Sequence, residues 1–189
     1  MQNIVEIVKA KLLKYTKKSF EKDGYDFWNE HIKYVFQNAH DLAVKRGADV
    51  EICKLGALFH DMAMAAEFGP REEHEIYGAK MARSILSELG YPAEKIDLVE
   101  KCVLHHRGSK DDSRDTAEEQ ILADADVIAH FDNIPSLFSL AYNKMNLSIP
   151  EGKGFVKNKL MRDYRKLGPE SQKELKERFD TIMDVLFKD

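Results

Sequence analysis

The stretch LGALFHDMAMA, residues 55–65, decides how this chain is read. It is apolar on most faces of a helix and so belongs inside the fold, yet it carries His60 and Asp61 side by side. Burying an imidazole and a carboxylate costs free energy unless both are paired or coordinated. These are also the side chains, thiolate apart, that divalent transition metals accept most readily. Working outward, ligand-type residues recur in order: His31 upstream, then His74, the adjacent His105 and His106, and Asp126 within LADADVIAHF. A lone dipeptide carries little weight, but an ordered series of donors does.

Helical spacing dominates on both sides of this stretch and strand signals are scarce, which predicts an all-α fold, a compact multi-helix bundle. Ile4, Ile7, Val8, Lys11, Leu12 and Tyr15 follow an amphipathic pattern for a first helix that ends near Asp23 and Gly24. A second helix is expected over about 29–46 with Gly47 as its cap, and a third over about 49–65. Gly69-Pro70 then breaks the chain. Further helices are expected at about 72–89, 93–106, 115–131, 135–145, 154–166 and 170–187. The last two carry charge at helical spacing and no cluster of chemistry, so they read as packing and dimerisation surface. The polar loop over 108–115 reads as a mobile edge beside the histidine pair.

Composition narrows the function classes. A chain of 189 residues that is 43% hydrophobic has enough material for one globular domain without disulfides. Its net charge of -4 offers no basic footprint for a nucleic acid duplex. No apolar run approaches a membrane span and no leader is evident at the N-terminus, so a cytoplasmic protein without a membrane partner is expected. Cys53 and Cys102 read as buried free thiols in a reducing compartment rather than as a disulfide or metal pair.

Several donors have rivals. A second dipeptide, His40-Asp41, lies on the same expected helix as His31, and nine residues at about 100° each put His31 and His40 on opposite faces. His40-Asp41 sits among polar neighbours and reads as a decoy. Asp124 and Asp126 diverge by about 200° on a helix, so only one of them faces inward. Glu119, Asp126 and His130 share a stripe that reads as a ligand with outer partners, or equally as a solvated or capping row. Gly152-Lys153-Gly154 is too short for a phosphate loop and has no preceding strand.

The order His31, His60-Asp61, His74, His105, Asp126 resembles the motif of the HD-domain metal-dependent phosphohydrolases, over residues of about 25–145. Within that span EQILADADVIAHF is similar to the segment EAKILQDADRLDA of small stand-alone bacterial members, and HHRGS to their HS-containing turn. The stretch after the dipeptide, HDMAMAAE, lacks the acidic pair of the guanosine-tetraphosphate hydrolases and the glutamate of the 5'-nucleotidase branch. Tyr34, Val127 and Ala129 also stand where many members carry Arg, Arg and Asp.

The resemblance implies a single HD domain over 1–189, with terminal helices packed on the core. It implies a divalent ion (Mn, Fe, Co, Ni, Mg or Zn), one or two per chain, held by His31, His60, Asp61 and Asp126, with His74 and His105 for a second. Asp61, His105 and Glu67 become the catalytic candidates, and Arg107, Lys110 and His106 the substrate-binding ones. The implied reaction is hydrolysis of a nucleotide or other small phosphate ester by a metal-activated water, in a chain that is a candidate homodimer. Two alternatives stand beside it: a di-iron HD-type oxygenase, and a metal-binding or signalling module without turnover.

Overall fold

The computed structural model describes residues 3–107 and 114–188, which form helices and their connections with no strand among them. Helix α1 (Ile4–Asp23) starts where the Asn3 side chain accepts a hydrogen bond from the Val5 amide, and ends at Gly24, whose φ of 74° favours glycine. Helix α2 (Lys33–Arg46) closes in the same way at Gly47. Asp49 caps α3 (Val50–Phe59) by accepting from the amides of Glu51 and Ile52. Then come α4 (Met62–Ala65), α5 (His74–Glu88), α6 (Ala93–His105), α7 (Ala117–Asp132), α8 (Ile134–Ser139), α9 (Ile149–Lys166) and α10 (Pro169–Phe187).

Helix α3 is the centre of the larger of two hydrophobic clusters. Ile52, Cys53, Leu55, Ala57, Leu58 and Phe59 are fully shielded from water, and α1, α2, α5, α6 and α7 pack around them. A second cluster joins Phe131 near the end of α7 to Leu137, Val156, Leu160, Leu175 and Phe187 of α8 to α10. Ile128 of α7 touches both clusters. Cys53 and Cys102 are free and buried, and burial pushes the Cys53 thiol up to about 12, which keeps it protonated and unreactive. No helix among the described residues is long and apolar enough to cross a membrane.

Three departures from the expected helices all bear on placement of side chains. The helix expected over 49–65 breaks at His60 and Asp61, where Asp61 sits at φ -112°, ψ 7°, a sparsely populated region that redirects its side chain away from the run of the helix. The helix expected from residue 29 opens instead with a π-helical turn over Trp28–Ile32 that carries His31. The helix expected from 154 starts at Ile149, capped by reciprocal bonds between Ser148 and Glu151, and takes in the Gly-Lys-Gly segment. There Gly152 lies against Tyr142, and a Cβ on it would come 2.2 Å from that ring. Gly78 has a similar role in α5: a Cβ there would stand 2.9 Å from the Phe59 carbonyl oxygen. Only a glycine lets α5 approach the end of α3 so closely, which brings His74, one turn earlier, up to the His60-Asp61 break.

Candidate metal centre

Four histidines and two carboxylates from separate elements converge at that break. His60 donates from Nδ1 to the Ala57 carbonyl at 2.8 Å, His74 to the Arg71 carbonyl at 2.9 Å and His106 to the Val103 carbonyl at 2.6 Å. A carbonyl only accepts, so each Nδ1 carries the proton and a neutral ring leaves its Nε2 lone pair unprotonated. Those lone pairs point at other nitrogens. His60 Nε2 lies 3.3 Å from His31 Nε2, and His74 Nε2 lies 3.3 Å from His106 Nε2. Burial, followed by the charge of His60, pushes His106 down to about 4, so it is neutral at physiological pH. Where both rings of the His74–His106 pair are neutral, their lone pairs face each other out of water and repel unless a cation sits between them.

The donors fall into two groups of three, with the carboxylate of Asp61 lying between them. The ligand atoms of His31, His60 and Asp126 lie within 4.8 Å of one another, and so do those of Asp61, His74 and His106. Asp61 stands between them, with Oδ2 3.5 Å from His60 Nε2 and 3.8 Å from His31 Nε2, and Oδ1 3.4 Å from His74 Nε2. Burial alone raises the carboxyl of Asp61, but the neighbouring His60, His74 and His31 outweigh it and hold it below its ordinary value. Asp126 is held well below the carboxylate range against its own burial, chiefly by its 3.0 Å contact with His31 Nε2. Burial likewise pushes His31 down, but the Asp126 bond and charge prevail and raise it. Anionic carboxylates beside imidazoles with orientated lone pairs are what a divalent ion needs, so the donor set fits one.

The expected residues do not all meet here. His105, expected as a ligand and catalytic group, joins neither set: its Nδ1 bonds Glu119, which is fully buried and also takes a bond from Thr116 Oγ1 at 3.0 Å. Its neighbour His106, expected to bind substrate, takes the place beside His74, because adjacent helical residues point about 100° apart. Asp124 faces away from Asp126 as its phase requires, accepting from Arg46 at 2.9 Å, Ser171 at 2.7 Å and the Gly168 amide at 2.8 Å. His130 stacks on His31 at 4.8 Å and holds Asp163 at 3.0 Å through Nδ1. Glu67, a catalytic candidate, is paired with Lys22 at 2.5 Å and borders a separate cavity of about 260 Å³. The decoy His40-Asp41 closes on itself at 2.9 Å in a half-exposed position. Lys110 lies outside the described residues.

A cavity of about 480 Å³ lies over the centre, bordered by His31, Asp61, His74, His106 and Asp126. Arg107 reaches it as expected, donating to the Glu72 carbonyl at 2.6 Å and to Glu75 at 3.0 Å. The unexpected wall is α9, whose Lys159, Arg162, Asp163 and Lys166 line the same cavity. The spacing 159, 162, 163, 166 was the available signal, but a charged stripe reads as solvent-facing until something is known to lie opposite it. Asp163 is 1% exposed, and although burial would raise it, the bond to His130 and the Lys159 ammonium bring it to about 2.

The HD domain family model matches residues 29–130, a span that contains every donor of both groups and stops before α9. Among solved structures, the chain is similar to the crystal structure of a predicted HD superfamily hydrolase from an uncultured Thermotogales bacterium. The TM-score is 0.51 and the identity 19%, over 94% of this chain and 99% of that one, which is a likeness of fold. No curated protein matches the chain.

Proposed function

The chain belongs to the HD-domain family, and from that premise we propose that it is a metal-dependent phosphohydrolase acting on a small phosphate ester, with nucleotides as the first candidates. The observation that carries this reading is Asp61 standing between two His/Asp groups beneath a cavity whose walls also present Lys and Arg side chains. His31, His60, Asp61 and Asp126 would hold one divalent ion, and Asp61, His74 and His106 a second. Such ions lower the pKa of a coordinated water and offset the charge that develops on phosphate oxygens. The chain supplies the rest: the carbonyl bonds fix the histidine tautomers, and Arg107 sets a guanidinium at the cavity edge where a phosphate is received. His105 acts here at most through Glu119, as a positioning residue. Four of the six donors are imidazoles, which makes Mn, Fe, Co, Ni or Zn better suited than Mg. Because α9 and the elements around α3 border one cavity, residues 1–189 are read as a single working unit.

The test is a panel of nucleotides and phosphate esters with the protein loaded in turn with each metal, read by phosphate and pyrophosphate release. Release that disappears in His60→Ala supports hydrolysis, and no release with any metal overturns it. Two histidines and a carboxylate in each group also suit iron that handles oxygen. Oxygen uptake by the iron-loaded protein, without phosphate release, would mark it as an oxygenase. Metal binding that raises thermal stability with neither reaction would leave a metal-holding module.

A further inference from the structure

We propose that the cavity face of α9 is a second anion subsite, so that the substrate carries a phosphate group beyond the one handled at the His/Asp centre. This deepens the phosphohydrolase reading and rests on it for the identity of the first phosphate. The spacing of Lys159, Arg162, Asp163 and Lys166 puts all four on one stripe of the helix, and all four line the cavity. Val156 and Leu160 of the same helix are buried in the second cluster, so packing fixes which way the stripe points.

Charge and partnering make the stripe a receptor. Three cations against one carboxylate leave it at net +2, in a chain whose net charge is -4. The carboxylate is already committed, accepting from Lys159 at 2.6 Å and meeting His130 at 3.0 Å, while Lys166 stands 3.6 Å away. Arg162 makes no hydrogen bond or ion pair among the described residues, and neither does the side chain of Arg71, which lines the cavity from the turn before α5. Lys144 and Arg107 differ, being tied to Asp23 and Glu75. A guanidinium with its donor fork unused matches two oxygens of a phosphate at once.

Position extends the argument. Lys159 is 3.4 Å from His130, whose ring stacks on His31, so the stripe begins two side chains from the centre. From there to Lys166 it runs about 10 Å along the helix at 1.5 Å per residue. One phosphate at the centre leaves the far cations unmet, whereas a diphosphate, triphosphate or bisphosphate reaches them. Since α9 lies beyond the matched residues 29–130, this wall is a feature of the chain itself and not of the matched domain.

The experiment titrates the full-length, metal-loaded protein with inorganic pyrophosphate and with inorganic phosphate by calorimetry, for the parent, Arg162→Ala/Lys166→Ala, and the control Arg165→Ala. Pyrophosphate should bind the parent roughly tenfold or more tighter than phosphate, and the double variant should lose about that factor and part of the salt dependence. Arg165 is exposed on α9 away from the cavity lining, so its variant should match the parent. In the metal-loaded protein the double variant should raise KM for a nucleoside 5'-diphosphate or 3',5'-bisphosphate, whichever is the better substrate, and leave KM for a monophosphate ester alone. Equal pyrophosphate affinity in parent and double variant, or equal binding of pyrophosphate and phosphate by the parent, overturns the subsite even if monoesters are hydrolysed. Differential binding with no hydrolysis of any ester keeps the subsite and overturns the phosphohydrolase reading.

Discussion

The chain holds the same dipeptide twice, and the two copies meet opposite fates. His40 donates to Asp41 at 2.9 Å and Gln37 bonds the same carboxylate, so on the half-exposed side of α2 the pair satisfies itself within its own turn. The His40 bond, and then that of Gln37, hold Asp41 below its ordinary value, an effect that water largely screens. His60 and Asp61 are buried at a helix break, and their functional atoms are turned toward side chains from other elements instead. A site is made from what local bonding leaves uncommitted. One pair of variants separates the two dipeptides most decisively: His60→Ala should abolish both metal binding at the first group and turnover, and His40→Ala should change neither, with stability within about 0.5 kcal/mol of the parent. Metal analysis beside turnover reads both, and equal losses would show that His60-Asp61 is not what distinguishes the metal site from His40-Asp41.

Asp124 and Asp126 repeat the contrast two residues apart. Asp126→Asn keeps the shape and removes an anionic donor, so metal affinity should fall by more than the roughly 10- to 100-fold typical of an outer partner, and turnover with it. Asp124→Asn should keep its metal and instead lose about 3 kcal/mol of stability, because the largely buried Arg46 guanidinium loses a charged partner. Urea melts and metal titration of the two proteins give crossed outcomes. If Asp126→Asn binds metal like the parent and Asp124→Asn does not, the assignment of α7's inward face is reversed.

These pairs mark what the sequence could and could not show. The helical architecture was legible because apolar spacing reports burial directly. His31, His60, Asp61, His74 and Asp126, singled out by their order along the chain, are brought near one another by the fold, and the divergence of Asp124 from Asp126 is fixed by 3.6 residues per turn. His105 and His106 were not separable in the same way: they straddle the end of α6, and Glu119 of α7, which claims one of them, is distant in sequence. Glu67, a catalytic candidate through the family resemblance alone, follows α4 with a φ of 52° and turns to Lys22. The α9 wall was hidden for a different reason. Charges on a helix face say that the face is polar, and only tertiary structure says whether water or a cavity lies opposite.

Counting ions separates His105 from His106. His106→Ala should bring a protein that holds two ions per chain down toward one. His105→Ala should leave the count unchanged, and lower stability by about 3 kcal/mol because the fully buried Glu119 loses its ring partner. Equal ion counts in parent and His106→Ala would remove His106 from the second group.

The smallest expected effect is a slope. In the chelator-stripped protein, His106 has its folded pKa lowered from 6.5 to about 4, mainly by burial. Between those values the unfolded chain takes up a proton that the folded chain refuses, so stability falls as pH drops from 6.5 toward 4 and does not depend on this group above 6.5. His31 runs the other way: its raised value gives stability that is present below 6.5 and lost as pH rises through the folded value. The two windows adjoin at 6.5 and other groups titrate in the parent as well, so the difference between parent and His106→Asn isolates the first. That difference should narrow as pH falls from 6.5 to 4, because only the parent carries the penalty of keeping His106 neutral. Denaturant melts at half-unit pH steps measure it, and a difference constant across that window would mean that His106 titrates normally and does not present a buried neutral ring to His74.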